Sequence, residues 1–319
     1  MTGPAITIRD LTRVYGRGET AVTALDKVSF DVRYGQIVAL LGSNGAGKTT
    51  LIKVLATLLL PSAGSVTVAG HDVVRQPKPA RAVAGVVFGG DRGLYGRLTL
   101  RDNLRYFGML AGLARRDIGA RIDQALAEVN LSDLAGRRVE ALSRGMRQRL
   151  HLAIGLIRRP RVLLLDEPTV GLDPVEAERV RAIVARLRDE GVGVLLTSHY
   201  LVDVERLAGR VVLLSDAKVA ADMAVDEFAR TSGFSATVTV RGKGPVPDWG
   251  SDPAKLVVQA TSARGDADGW EVDLRVREWS AAVFSHLSSL FDGVTVYDVK
   301  VRETGVEEAF LAISRRAAP

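Results

Sequence analysis

The stretch Gly42-Ser43-Asn44-Gly45-Ala46-Gly47-Lys48-Thr49-Thr50 carries residue types suited to holding a polyphosphate. Its glycines let backbone N–H groups turn inward with no Cβ in the way. Lys48 brings a mobile positive charge to the β- and γ-phosphates, and Thr49 offers a hydroxyl to Mg²⁺. The residues point to ATP or GTP. Two further polar clusters follow apolar runs. Val162–Leu165 leads into Asp166-Glu167-Pro168-Thr169, with Gly171-Leu172-Asp173-Pro174 close behind, and Gly193–Thr197 leads into Ser198-His199.

These groups need elements that present them on one side. Ile37–Leu41 reads as a strand and Leu51–Leu58 as a helix, so the glycine loop sits between strand and helix, the context a phosphate-binding P-loop requires. The continuous apolar run Val162–Leu165 predicts a buried parallel strand. Acidic residues at its end lie where α/β sheets place ligand chemistry. Upstream, Ile6–Ile8, Ala24–Val32 and Gly35–Leu40 read as short strands, and Ser65–Val68 and Ala82–Phe88 as two more. Tyr15 by itself reads as an edge-strand aromatic, although an aromatic ahead of a P-loop can stack on a base. From Thr99, which supplies a helix-start signature with Asp102, the spacing of Leu100, Leu104, Phe107 and Leu110 is helical. A helix is expected again at Arg121–Val129 and at 175–190.

In the order of these motifs, residues 5–225 resemble the nucleotide-binding subunit of an ABC transporter. Gly42–Thr50 resembles the Walker A loop, Leu142-Ser143-Arg144-Gly145-Met146 the ABC signature, and Val162–Asp166 with Glu167 the Walker B strand. Gly171–Pro174 is similar to the D-loop, His199 to the switch histidine, and Tyr15 to the adenine-stacking aromatic. The resemblance implies ATP and Mg²⁺ as cofactors, bound by Tyr15 and by Gly42, Ser43, Asn44, Gly45, Ala46, Gly47, Lys48, Thr49 and Thr50. It implies that Thr49 and Asp166 hold Mg²⁺, the latter partly through water. Glu167 is then the general base, and His199 and Lys48 act on the γ-phosphate. Ser143 and Gly145 would complete the site of a second subunit in a head-to-tail homodimer or pseudo-dimer.

The implied fold is α/β: a P-loop NTPase core with an antiparallel β subdomain and an inserted helical subdomain at about 95–158. That domain covers residues 1–230, and a small α+β domain covers 231–319. Two departures from the family pattern stand out. Arg144 and Met146 replace a glycine and a glutamine of the signature, and Gly89-Gly90-Asp91 stands where a glutamine normally contacts Mg²⁺ and couples to the transporter. With the C-terminal extension, these features are similar to ATPase subunits of ABC-2 type exporters, such as drug-resistance and sodium-extrusion systems. The resemblance implies a separate integral membrane permease docked around 89–110, hence a peripheral location on the cytoplasmic face of the membrane. A soluble ABC ATPase acting on nucleic acid or ribosomes, and an importer subunit, are the alternatives.

Composition sets the frame. With 47% hydrophobic and 25% charged residues, the chain of 319 reads as globular. It has no apolar run of about 18 residues to span a bilayer. It has no cysteine, hence no disulfide framework, and no basic-then-apolar leader, so a cytoplasmic protein is expected. The net charge of +6 is interspersed with acids and reads as a solvated surface, so no nucleic-acid partner is expected. His71, His151 and His286 have no motif context and read as structural or solvent-facing. From Phe234 onward, strands are expected at Phe234–Val240, Lys255–Ala260, Trp270–Val276 and Val294–Val301, with helices at Ser280–Leu290 and Val306–Ser314. Gly265–Gly269 reads as a polar hairpin turn without the spacing of a calcium loop.

Overall fold

Continuous apolar runs become the buried strands of a parallel sheet, and alternating runs become half-covered antiparallel ones. The computed structural model describes residues 3–89, 93–244, 257–266, 269–291 and 293–316, which form two compact units, Met1–Ala224 and Val225–Pro319.

The first unit opens with β1 (Ile6–Tyr15) and β2 (Val22–Val32), an antiparallel pair. β3 (Ile37–Gly42), buried at every position, runs into the glycine loop and α1 (Lys48–Leu55). β4 (Ala63–Val68) and the short β5 (His71–Asp72) return to β1, completing an antiparallel sheet of order β2-β1-β4-β5. α2 (Pro77–Val83) comes next, with proline in its first turn where a missing N–H costs nothing. It takes up Ala82 and Val83, which read as strand in the sequence, so β6 (Ala84–Phe88) starts later.

Three helices follow: α3 (Leu100–Leu110), α4 (Arg115–Glu128) and α5 (Arg144–Leu156). Thr99 caps α3 by accepting from the Asp102 N–H, as its sequence signature predicts. β7 (Val162–Asp166), α6 (Pro174–Asp189), β8 (Gly193–Thr197), α7 (Leu201–Leu207), β9 (Arg210–Ser215) and β10 (Lys218–Ala224) close the unit. The large sheet has the order β10-β9-β3-β8-β7-β6, parallel except for the edge strand β10. Register decides what this sheet can do. Phe88 pairs with Asp166, Asp166 with Thr197, and Thr197 with Leu40, so the carboxyl ends of β6, β7, β8 and β3 finish along one edge.

The second unit contains α8 (Val225–Arg230), β11 (Ala236–Lys243), β12 (Val257–Asp266), β13 (Gly269–Val276), α9 (Ala281–Leu290), β14 (Thr295–Glu303) and α10 (Val306–Arg316). Its sheet is antiparallel, order β12-β13-β11-β14. Every second residue of β11 and β13 is buried, as a pleated strand covered on one face requires. Val238, Val240, Val272 and Leu274 form a core with Val283 and Leu287 of α9. The division falls after Ala224 and not at 230, because α8 lies against α10 within the second unit. Strand pairing of Asp266 with Gly269 makes a hairpin of the segment read as a polar turn. Ala267 and Asp268, like Lys255 and Leu256 of the strand expected at Lys255–Ala260, lie outside the described residues.

Candidate nucleotide site

The loop after β3 closes on itself before any ligand is considered. Gly47 has φ +101°, and a Cβ there would sit 2.3 Å from the Ala24 carbonyl oxygen and 2.8 Å from Leu25 Cδ2. No residue with a side chain fits. Lys48 begins α1 with 8% of its surface exposed, and its Nζ donates to the carbonyls of Gly42 (2.6 Å) and Ser43 (2.9 Å). Burial pushes the Lys48 pKa down, while Glu167 and Asp166 act against that shift. The first turn of α1 carries no acidic residue, which leaves its positive end uncompensated.

The end of β7 faces this loop. Asp166 Oδ1 accepts from Thr197 Oγ1 at 2.6 Å, and its Oδ2 lies 3.5 Å from Thr49 Oγ1. Glu167 follows with φ +54°, a left-handed conformation unusual for a residue with a Cβ. The Glu167 N–H is fastened to both the carbonyl (3.0 Å) and the hydroxyl (3.2 Å) of Thr197. Its carboxylate Oε1 stands 2.7 Å from His199 Nε2. The structure therefore brings Lys48, Thr49, Asp166, Glu167 and His199 together from three strand ends. Tyr15, at the end of β1, reaches the same loop: its hydroxyl lies 3.4 Å from Thr50 Oγ1, and the Arg13 guanidinium sits 4.6 Å from its ring centre. A broad cleft flanks the loop on the side of Asp26 and Asp216. Asp26 is paired there with Lys218 at 3.3 Å, and Asp216 leaves that side with an excess of negative charge that disfavours phosphate.

Ser143 and Gly145 occupy other ground. Ser143 caps α5 by accepting from the Met146 N–H at 3.2 Å. Gly145 is pressed on α6, where an added Cβ would lie 2.4 Å from Glu176 Cγ. Glu176 is ion-paired with Arg149 at 3.2 Å and with Arg179, and Asp173 caps α6 through the Val175 and Glu176 N–H groups at 3.0 and 2.9 Å. The signature turn and the start of α6 are thus one packed assembly, separate from the glycine loop.

The curated daunorubicin-resistance ATP-binding protein DrrA3 of Streptomyces coeruleorubidus is 36% identical over 316 residues, 98% of this chain and 97% of its own. This chain belongs to the ABC transporter family. The family model described as ABC transporter matches residues 25–170. The ABC transporter ATP-binding protein NatA of Bacillus subtilis is 40% identical over 214 residues, 67% of this chain and 87% of the relative. Among solved structures, the dimeric bacterial ABC transporter cassette MJ0796 superposes with a TM-score of 0.60 at 25% identity, covering 69% of this chain and 98% of that one. The chain is an ABC ATPase: it binds and hydrolyses ATP, and it is the energy-coupling subunit of an exporter.

Set within the ABC family, the departures acquire physical reasons. Met146, in the place of a glutamine, is partly buried against the core shared by α3, α4 and α5. Arg144 lies against Gly171 of the D-loop, where a Cβ on Gly171 would be 2.3 Å from its guanidinium carbon. Of the loop Gly89-Gly90-Asp91, only Gly89 is among the described residues. Its N–H donates to the Asp166 carbonyl at 2.6 Å, and a Cβ there would meet the Glu167 carbonyl oxygen at 2.5 Å. Thr197 belongs to none of the motifs, yet it orients both Asp166 and Glu167. Its signal is a hydroxyl residue closing an apolar strand.

Proposed function

We propose that two copies of this chain close head to tail around two ATP molecules, with Ser143 and Gly145 of one copy completing the Gly42–Thr50 loop of the other. Tyr15 then stacks on the base, and backbone N–H groups of Ser43, Asn44, Gly45, Ala46 and Gly47 hold the phosphates with Lys48 and Thr50. Thr49 and Asp166 supply two oxygen donors of the kind Mg²⁺ prefers. No group of three or more His, Cys, Asp or Glu among the described residues could hold a metal alone, so phosphate and water would complete the shell. Bound there, Mg²⁺ offsets negative charge on the phosphate oxygens. Glu167 takes the proton of the attacking water, and His199 holds that carboxylate and faces the γ-phosphate.

The partner in the membrane is an ABC-2 type permease, which docks around residues 89–110 and keeps the chain on the cytoplasmic face. No helix among the described residues is long and apolar enough to cross a membrane. Tyr95, Tyr106 and Phe107 form an aromatic cluster here, with ring centres 4.8 to 6.3 Å apart, and Met109 and Leu110 are exposed beside it. Apolar side chains left open to water at one place favour a protein partner.

The observation that carries the reading is the 2.7 Å approach of Glu167 to His199 beside Lys48. Glu167→Gln is expected to lower hydrolysis by about 10²-fold or more while ATP still binds. Size-exclusion chromatography with MgATP should then show a dimer; a persistent monomer from permease-containing membranes would overturn the head-to-tail reading.

A further inference from the structure

Asp203 in α7 is a carboxylate with 0% exposure that no motif marks. A buried charge persists only where its lone pairs are satisfied. Its Oδ1 accepts from Arg181 Nη1 of α6 at 2.7 Å. Its Oδ2 accepts from two hydroxyls: Thr169 Oγ1, in a short bond, and Ser198 Oγ at 2.8 Å. Ser198 has one proton and two acceptors in reach. The charged oxygen at 2.8 Å wins over the Tyr200 carbonyl at 3.1 Å, and the serine oxygen in turn accepts from the Tyr200 N–H. Thr169 and Ser198 are each only 3% exposed, so water does not compete for these bonds.

The two hydroxyls belong to two different loops. Thr169 lies two residues after Glu167, and Ser198 lies immediately before His199. We infer that Asp203 is a positioning residue for hydrolysis: one buried carboxylate, anchored on α6 by Arg181, fixes the loop of Glu167 and the loop of His199 against each other. The 2.7 Å Glu167–His199 contact is then set from behind, by a group that touches neither nucleotide nor water. This deepens the ATPase site reading and rests on the roles given there to Glu167 and His199.

The test uses the full chain, with steady-state MgATP hydrolysis and equilibrium binding of a fluorescent ATP analogue. Asp203→Asn is expected to lower kcat about tenfold to a hundredfold, in the range of outer-shell substitutions at ligating sites. Analogue affinity should stay within about twofold, because the interaction matters only in the reacting complex. On a His199→Ala background the same change should cost less than about threefold, since both then act on one pair. Thr169→Val should lose rate and Thr169→Ser retain it, and this pair decides the matter if Asp203→Asn does not fold. Multiplicative losses in the double variant, or equal losses for Val and Ser at 169, would overturn the positioning role. A reduced rate for His199→Ala beside a wild-type rate for Asp203→Asn overturns only this inference. A wild-type rate for His199→Ala overturns the site reading with it.

Discussion

In the first unit Lys48, Thr169, Arg181, Thr197, Ser198 and Asp203 are buried around the ends of β3, β7 and β8, and Asn103, Gln148 and Arg149 are buried in the helices α3 and α5. In the second, the described core residues of β11, β13 and α9 are apolar, with Trp270 stacked on Phe291 at 6.1 Å. Both units solve the same problem, closing a sheet face against helices, yet only one accepts the desolvation of polar groups. Burying such groups without partners destabilises a fold, so they persist where each is paired and where the pairing does something. The contrast separates the two units, and within the first the largest such group lies at the strand ends of the proposed site.

The comparison can be broken first at the nucleotide loop. Lys48→Ala removes the cation beside Asp166 and Glu167 and should lower kcat/KM for ATP by at least about 10²-fold, as loss of a transition-state charge partner does. A rate within a few-fold of wild type, measured by phosphate release, would mean that buried polarity here is not catalytic. The second unit offers the opposite case. Leu274 is fully buried in its core, so Leu274→Ala should destabilise that unit by about 2–5 kcal/mol. The expectation, read by calorimetry alongside hydrolysis, is an early transition of the second unit with the hydrolysis rate per folded chain preserved. A parallel loss of rate would show that the apolar unit serves the reaction directly.

The smallest effect sharpens the rule by testing a half-buried charge with no chemical task. Burial raises the pKa of Glu128 at the end of α4, with the Gln124 amide, 2.9 Å away, acting against it. A raised folded pKa means the carboxyl favours the fold below its unfolded value of about 4.5, and that this contribution is lost as pH rises through the folded value. Glu128→Gln, which is insensitive to pH, should therefore melt slightly higher than wild type near neutrality. The difference should close as the pH falls towards the unfolded value. A difference independent of pH would point to changed packing and not to charge.

Much of the proposed catalytic edge is legible in the sequence because its residues are local to their elements. Glycines, Lys48 and Thr49 are fixed by one strand–loop–helix turn, and Asp166 and Glu167 by the end of one apolar run. What the sequence hides is convergence. Thr197, Arg181 and Asp203 act through partners 22 to 34 residues away, and no spacing rule connects them. Tyr15 reads alone as an edge aromatic until the β1 strand brings it to Thr50. Helix α2 and the pair β9–β10 are not among the elements expected from the sequence, although Val211–Leu214 is an apolar run of the same kind as Val162–Leu165, and the unit boundary shifts because α8 is claimed by a helix far downstream.

The left-handed backbone of Glu167 has a wider consequence. Such a conformation costs a side-chain-bearing residue roughly 1–3 kcal/mol, which glycine would not incur. Selection for heat resistance alone and selection for turnover therefore pull residue 167 in opposite directions. A lineage that stopped needing to spend ATP would be expected to drift there towards glycine or asparagine, gaining a sturdier protein that no longer works.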